Sequence, residues 1–122
     1  ARALASTELA QRIITELANG AKAVIPTLPV TDTIKEVNSH GHVVSTPARE
    51  ILRIVQTPQG FRAKELLTAY INAERDDFTG TDTGACVEKY FPSMKATAVD
   101  AEVTNLKITY AQDLELAEKL LS

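Results

Sequence analysis

The chain has 122 residues, of which 44% are hydrophobic and 24% are charged, and its formal net charge at pH 7 is −3. These values are those of an ordinary globular domain, so they exclude a disordered chain and a collagen-like chain. The mild acidity argues against a dedicated nucleic-acid-binding domain, because such domains are usually basic. The longest uncharged apolar stretch, residues 23–30, contains two prolines and is far too short to span a membrane. We therefore expect neither nucleic acid nor membrane as a partner.

The cysteine content is also informative. Cys86 is the single cysteine, which excludes an internal disulfide and a cysteine-rich zinc site. It favours a reducing, cytoplasmic setting. The chain begins with Ala1-Arg2 and its one methionine is Met94. We expect the numbering to begin inside a longer protein.

The first part of the chain predicts a helix followed by a buried strand. Ser6 is a suitable N-cap for a helix over residues 7–18, in which apolar side chains recur at helical spacing. The apolar run of residues 21–28 then predicts a strand whose C-terminal end is broken by Pro26 and Pro29. A helix, a short turn and a buried strand form half of a βαβ crossover.

A β-hairpin is predicted next. Residues 33–37 and 42–46 are β-prone and flank the turn-like loop of residues 38–41. Most of the hairpin is polar, so we expect it to project from the domain and to pair with another subunit. His40 and His42 allow a metal site in this loop, but a solvated loop is favoured because no other histidine or cysteine is near in sequence.

The remaining predicted elements continue an alternation of helices and strands, which places the fold in the α/β class. A capping box opens the final helix, and Thr81 or Asp82 is expected to cap the helix before it. In chain order, these elements are a strand over 51–56, a turn over 57–60, helices over 62–74 and 83–90, strands over 95–99 and 106–109, and a helix beginning at the Thr109–Gln112 box.

Several kinds of catalytic motif are absent from the sequence. The five glycines are scattered, and none forms a phosphate-binding loop of the GxGxxG or GxxxxGK[ST] kind. No GxSxG serine motif is present. Cys86 lies on a helical face without a nearby base, so a small buried residue is favoured over a nucleophile.

What remains is a set of hydroxyl and basic side chains at strand ends, where open α/β sheets bind ligands. Cations and hydroxyls without an acidic catalyst suit a phosphorylated, anionic ligand. The alternative is that the basic side chains lie along apolar surface and the threonines cap turns, and the pattern alone favours this alternative. The residues concerned are Thr31, Asp32, Thr33, Arg49, Arg53, Thr57 and Lys107.

Two longer motifs carry a resemblance to a known family. PVTDTIK at residues 29–35, followed by TPAREILRIVQTPQGF at residues 46–61, resembles the 2-C-methyl-D-erythritol 4-phosphate cytidylyltransferases of the non-mevalonate isoprenoid pathway. NLKIT at residues 105–109, followed by DLELAE at residues 113–118, is similar to the C-terminal signature of that family. Ala1-Arg2 also looks like the end of its His-Asp-Ala-Ala-Arg segment. The resemblance covers essentially the whole chain and is greatest to actinobacterial members.

This resemblance implies a Rossmann-like nucleotidyltransferase fold with a mixed sheet. Residues 1–122 would be the C-terminal part of a single cytidylyltransferase domain. The hairpin at residues 30–50 would be a projecting dimerisation arm that interlocks with a second subunit, giving a homodimer. In such enzymes the first half carries the glycine-rich CTP loop and an aspartate that helps to hold Mg²⁺. We therefore assign no metal ligand to this chain and expect the 122 residues alone to be inactive.

The resemblance also implies roles for particular residues. Arg49 and Lys107 would be catalytic, because they would position the substrate phosphate for attack on the α-phosphorus of CTP. Such a transfer depends on positioning and charge stabilisation, which an arginine fork and a lysine charge supply. The matched substrate-binding positions are Thr33, Arg49 and Thr57, which reach the substrate of the partner subunit, and Arg2, Thr81 and Lys107, which contact the substrate of their own subunit.

One stretch departs from the family pattern. Many members have an acidic residue and alanine after the Thr-Asp pair, whereas this chain reads Thr81-Asp82-Thr83-Gly84. We expect Gly84 to weaken the start of the short helix. Asp82 is interpreted as a helix cap in preference to a ligand contact.

The implied activity is cytidylyl transfer from CTP to 2-C-methyl-D-erythritol 4-phosphate, which gives 4-diphosphocytidyl-2-C-methyl-D-erythritol and pyrophosphate and uses Mg²⁺. Two alternatives stay open. One is a cytidylyltransferase for another sugar phosphate, such as ribitol phosphate. The other is a non-enzymatic dimerisation and anion-binding module built on the arm.

Overall fold

Residues 6–105 and 111–121 are described in a computed structural model of the chain. The predicted strand over 106–109 and the Thr109 position of the capping box lie outside these residues. The described elements are α1 (Thr7–Ala18), β1 (Ala23–Pro29), β2 (Glu36–Val37), β3 (Val43–Ser45), a 3₁₀ turn (Arg49–Ile51), β4 (Arg53–Val55), β5 (Gly60–Phe61), α2 (Ala63–Arg75), α3 (Thr83–Tyr90), β6 (Thr97–Asp100) and α4 (Ala111–Leu121). None of the described helices has the length and apolar character needed to cross a bilayer.

Strand β1 lies at the centre of a four-stranded mixed sheet. It pairs in parallel with β6 and antiparallel with both β4 and β5. Val24 pairs with both β5 and β6, and Thr27 pairs with both β4 and β6, so β4 and β5 share the edge of β1 that faces away from β6. The predicted mixed sheet is confirmed. The register pairs 24–27 with 97–100, 27–29 with 53–55, and 23–24 with 60–61.

The first helix has the predicted bounds and the predicted cap. The Ser6 hydroxyl accepts a hydrogen bond from Leu9 N (3.1 Å) and so satisfies one of the free N–H groups at the helix start. Leu9 and Ile13 are buried against Val24 of β1. This apolar contact fixes α1 on one face of the sheet.

Strand β1 continues through Pro26, so the predicted break there is wrong, whereas it ends at Pro29 as predicted. Opposite residues in a narrow antiparallel pair exchange both N–H···O bonds. Pro26 lies opposite Gln56 and accepts a hydrogen bond from its N–H (2.9 Å), but has no N–H to return. The Gln56 carbonyl accepts a hydrogen bond from Gln59 Nε2 (3.4 Å) instead. The strand tolerates a central proline because a side chain replaces the missing donor.

The turn predicted over residues 57–60 is also wrong, since β4 and β5 run in the same direction along the same edge of β1. The ladder resumes at Gly60, and residues 57–59 together face the single residue Ile25. Three residues opposite one form a bulge that bends the chain out of the sheet. We call residues 57–59 the Thr57 bulge. It places Thr57 at the surface.

Helices α2 and α3 form a second apolar cluster. Ala69 and Ala73 of α2 pack against Cys86 and Val87 of α3, and all four are buried. The Cys86 thiol donates a long hydrogen bond to the Ala69 carbonyl (3.7 Å), so its interpretation as a small buried residue is confirmed. The close packing of small residues brings the N-terminus of α3 towards the sheet.

Tyr90 is half-buried at the end of α3, and its ring meets that of Phe78 edge-on, with centroids 6.2 Å apart. Partial loss of hydration, together with the hydrogen bond that its hydroxyl donates to Asp76 (3.0 Å), raises the pKa of Tyr90 above the usual 10.0. The phenol is therefore neutral at physiological pH.

The predicted hairpin is present as a separate two-stranded sheet of β2 and β3. Its strands are shorter than predicted, and Asn38 Oδ1 closes the loop by accepting hydrogen bonds from His40 N and His42 N (both 3.0 Å). Every residue from 31 to 46 is exposed. We call residues 30–50 the arm.

Candidate functional site

Arg49 and Arg53 lie at the base of the arm, where the 3₁₀ turn leads into β4. The Arg49 guanidinium donates a hydrogen bond to the Thr31 carbonyl, which ties the two ends of the arm together. With Glu50 and the end of β1, these residues line an open concavity of about 530 Å³. Two guanidinium groups beside one carboxylate leave this concavity with a net positive charge, which suits an anion.

The two arginines differ in how they are held. Arg53 Nη1 donates to the carbonyls of Glu50 (3.0 Å) and Leu52 (2.8 Å), so its guanidinium is bound to the segment that directly precedes it. Arg49 instead reaches across to Thr31, and both arginines are exposed. A guanidinium carries five N–H donors in a planar fork, and each of these contacts engages one nitrogen. Arg49 therefore differs from Arg53 in joining the two ends of the arm.

Thr33 follows two residues after Thr31, at the start of the arm, and is exposed. Arg49 and Thr31 are brought together by a hydrogen bond, and Thr33 lies next to that contact in sequence. The expectation that Thr33 and Arg49 act on the same ligand is compatible with this arrangement.

The Thr57 bulge is held from two sides. On one side, the Thr57 carbonyl accepts a hydrogen bond from Asn105 Nδ2 (2.8 Å). On the other, Gln59 Nε2 donates to Asp82 Oδ2 (2.9 Å), and Gln59 Oε1 accepts from Gly84 N (2.9 Å). The Thr57–Pro58 peptide bond within the bulge is cis. The Gln59 side chain thus joins the bulge to the N-terminus of α3.

Asp82 is the cap of α3, as predicted: its Oδ1 accepts a hydrogen bond from Ala85 N (2.7 Å). The helix begins at Thr83 and includes Gly84, and its weakening by this glycine stays a prediction. A Cβ at Gly84 would lie 3.0 Å from Ile25 Cδ1 and 3.3 Å from Gln59 Oε1. A larger residue here would require these two side chains to move by a few tenths of an ångström, because α3 approaches β1 and the bulge so closely.

Thr57 and Thr81 are therefore brought to one neighbourhood by Gln59. Thr81 is exposed in the loop that precedes α3, directly before the Asp82 carboxylate to which Gln59 is bonded. Sequence reasoning did not single out Gln59, although it stands in the quoted QTPQGF motif. Its role depends on a contact across 23 residues, which no local pattern shows.

Gln56 and Asn105 were likewise missed by sequence reasoning. Both are polar and deeply buried, with exposed fractions of 4% and 0%. Their amides bond to each other, with 3.0 Å between Asn105 Nδ2 and Gln56 Oε1. A glutamine at the end of an apolar stretch is the one sequence signal here that points to a structural polar contact.

Arg2 and Lys107, which were predicted to bind substrate, lie outside the described residues. Within residues 6–105 and 111–121, no three histidine, cysteine, aspartate or glutamate side chains come close enough to hold a metal ion. We derive no step through a metal ion.

The family model of 2-C-methyl-D-erythritol 4-phosphate cytidylyltransferase (IspD) matches residues 1–122. The chain belongs to this family. A cytidylyltransferase of this name from Rhodococcus jostii is 46% identical over 121 residues, which cover 99% of this chain and 51% of the relative. One from Frankia casuarinae is 41% identical over 122 residues, which cover 100% of this chain and 44% of the relative.

Solved structures of the IspD family are similar in fold as well. The 4-diphosphocytidyl-2C-methyl-D-erythritol synthase of Anaerococcus prevotii superimposes with a TM-score of 0.89 at 32% identity, covering 98% of this chain and 52% of the other. The cytidylyltransferase of Thermus thermophilus gives 0.83 at 36% identity, covering 99% and 58%. The α/β fold with a mixed sheet is thereby confirmed. The chain spans about half the length of the curated relatives it matches.

Proposed function

We propose that this chain is the substrate-phosphate-binding part of an enzyme that transfers a cytidylyl group from CTP to 2-C-methyl-D-erythritol 4-phosphate, releasing pyrophosphate. The observation that carries the proposal is the family match, which runs over all 122 residues. The positively charged concavity at the base of the arm supports it, because this reaction requires an anionic substrate to be held.

Arg49 and Lys107 are the proposed catalytic residues, because both would hold the substrate phosphate in line with CTP. Holding both reactants in one geometry removes an entropic cost of bringing them together, and the cations offset the charge that builds up at the phosphates. The exposed position of Arg49, with its guanidinium already oriented by Thr31, supports this role. The other proposed substrate contacts are Arg2, Thr33, Thr57 and Thr81.

We also propose that the enzyme is a homodimer joined through the arm. Val37 and Val43 lie opposite each other in the hairpin and are 57% and 59% exposed. An exposed hairpin with an apolar pair on one face is a surface that gains stability when a second subunit covers it. Such a dimer would let Thr33, Arg49 and Thr57 reach the substrate of the partner subunit.

For the proposed cofactor and cellular setting, the support comes from the family and from the composition. Mg²⁺ is expected to be held by residues outside this chain. A single, buried cysteine supports a reducing, cytoplasmic setting.

The direct test is an assay of the full-length enzyme with CTP and Mg²⁺, in which pyrophosphate release is measured with either 2-C-methyl-D-erythritol 4-phosphate or ribitol phosphate. We expect release with the first substrate and little with the second. Equal turnover of ribitol phosphate would favour the alternative sugar-phosphate enzyme. Absence of both CTP binding and turnover would favour a non-enzymatic module.

A further inference from the structure

The Thr57 bulge is not held in place by packing of its own side chains. Thr57 and Pro58 are both exposed, and the ladder with β1 is interrupted along residues 57–59. Its position must therefore depend on the hydrogen bonds that reach it from elsewhere in the molecule.

On the side away from α3, the hydrogen bond comes from a buried pair of carboxamides, Gln56 and Asn105. Gln56 Nε2 donates to the Glu102 carbonyl (2.9 Å), and Gln56 Oε1 accepts from Glu102 N (3.4 Å). Asn105 Nδ2 donates both to Gln56 Oε1 (3.0 Å) and to the Thr57 carbonyl (2.8 Å). The segment that follows β6 is in this way bound to the segment that follows β4.

We propose that Asn105 is a positioning residue, which orients Thr57 towards the substrate by holding the Thr57 carbonyl. This rests on the proposed function, in which Thr57 contacts the sugar phosphate. Asn105 is fully buried and acts from inside the molecule, whereas Thr57 is exposed. The amide nitrogen matters most, because it donates both to the Gln56 side chain and to the Thr57 carbonyl. Removing this donor would deprive both oxygens of its hydrogen bond and would release the bulge on one side.

The test uses the full-length enzyme and the variant Asn105→Asp, which keeps the shape of the side chain but replaces the amide donor with a carboxylate oxygen. We expect KM for 2-C-methyl-D-erythritol 4-phosphate to rise about tenfold, the size of effect that follows from losing one substrate interaction, while KM for CTP stays the same. Asn19→Asp places the same charge at the exposed end of α1 and should leave both KM values unchanged.

A double variant separates positioning from general stability. If Asn105 acts through Thr57, then Asn105→Asp combined with Thr57→Val should raise KM no further than Thr57→Val alone. Additive effects, or a variant with both KM values of the parent enzyme, would overturn the proposal. An inactive parent enzyme would instead overturn the proposed function.

A second variant keeps the test decisive if the buried charge prevents folding. Asn105→Ser is neutral and smaller, and it also removes the donor at the position of Nδ2. We expect it to fold and to show the same selective rise in KM for the sugar phosphate. Loss of folding in both variants would show that Asn105 serves stability, which contradicts a positioning role.

Discussion

Arg49 and Lys107 are the residues on which the proposed chemistry depends most directly. In the full-length enzyme, Arg49→Ala and Lys107→Ala should each lower kcat/KM for the sugar phosphate by about tenfold or more, because each removes a charge-assisted hydrogen bond. The measurement is steady-state pyrophosphate release. Arg12→Ala, which removes an exposed arginine from α1, is the matched control and should have no effect. Parent-like rates in the first two variants would contradict the proposed roles.

Thr81 and Asp82 are adjacent but should respond differently to substitution. Asp82→Ala removes the cap of α3 and a partner of Gln59, so we expect it to lower the free energy of unfolding by about 1 kcal/mol. Thr81→Ala should leave this free energy unchanged but raise KM for the sugar phosphate. Thermal denaturation and steady-state kinetics of both variants provide the check. A loss of stability in Thr81→Ala would show that the cap is misassigned.

The predictability of the site from sequence differs from residue to residue. Asp82 was predicted as a cap because helix starts have a local signal, namely a short acidic side chain three residues before a free N–H. Gln56, Gln59 and Asn105 have no such signal, since the partners through which they join distant segments lie 23 to 49 residues away along the chain. Whether a carboxamide is exposed or becomes a buried link between segments is decided by the tertiary fold.

At the scale of elements, the contact of α1 with β5 depends on the absence of a side chain. A Cβ on Gly60 would lie 2.5 Å from Ile13 Cγ2 and 2.9 Å from Leu17 Cδ1. We therefore expect Gly60→Ala to destabilise the fold by about 1–3 kcal/mol through overpacking, measured by chemical denaturation. The variant Ile13→Ala creates space at this contact, so the double variant should be more stable than the sum of the two losses predicts. Simple additivity would contradict this explanation.

The hairpin of the arm allows a test of the proposed dimer. Val43→Asp places a charge on the apolar face shared with Val37, so we expect it to raise the dissociation constant of the dimer by tenfold or more. Sedimentation of the full-length enzyme would measure this. Val44→Asp places the same charge on the opposite face of β3 and should have a smaller effect, because successive side chains of a strand alternate in direction. Equal effects would argue against this apolar pair as the contact.

The elements that the sequence predicted well are those with local signals. Helices α1, α2 and α3 have the periodicity, caps and stop signals that mark helices, and their bounds agree with the prediction to within one residue. The errors concern β1 and the Thr57 bulge. Proline normally marks a break in a strand, and the TPQG stretch normally marks a turn. Here β1 continues through Pro26 because it pairs with β4 and because the Gln59 side chain replaces the N–H that Pro26 lacks.

At the scale of the whole molecule, many large apolar side chains are exposed among the described residues. One face of α2 buries Ala69 and Ala73 against α3, whereas Leu67, Tyr70 and Ile71 form an exposed stripe at helical spacing. Such a face is typical of a helix that has a further contact in the complete protein. This agrees with the finding that the chain spans about half the length of its relatives.

The 122-residue chain alone should therefore have no cytidylyltransferase activity. It contains no glycine-rich phosphate-binding loop, and the reaction needs CTP held beside the sugar phosphate. The purified chain, incubated with CTP, Mg²⁺ and 2-C-methyl-D-erythritol 4-phosphate, should release no pyrophosphate above the rate without protein. The full-length enzyme is the positive control. Release by the short chain would mean that these residues bind CTP by themselves.

Pro26 has a consequence for attempts to redesign the Thr57 bulge. The Gln56 carbonyl is open to the Gln59 side chain because Pro26, which lies opposite it in β1, has no N–H to donate. Grafting TPQ, residues 57–59, onto another protein would transfer the Gln59 donor without Pro26, which lies some thirty residues earlier in the chain. Pro26→Ala would add a backbone N–H that competes with Gln59 for the Gln56 carbonyl. The pairing between β1 and the chain opposite could then continue into the Thr57 bulge. A redesign of the Thr57 bulge therefore has to include β1 as well as the bulge itself.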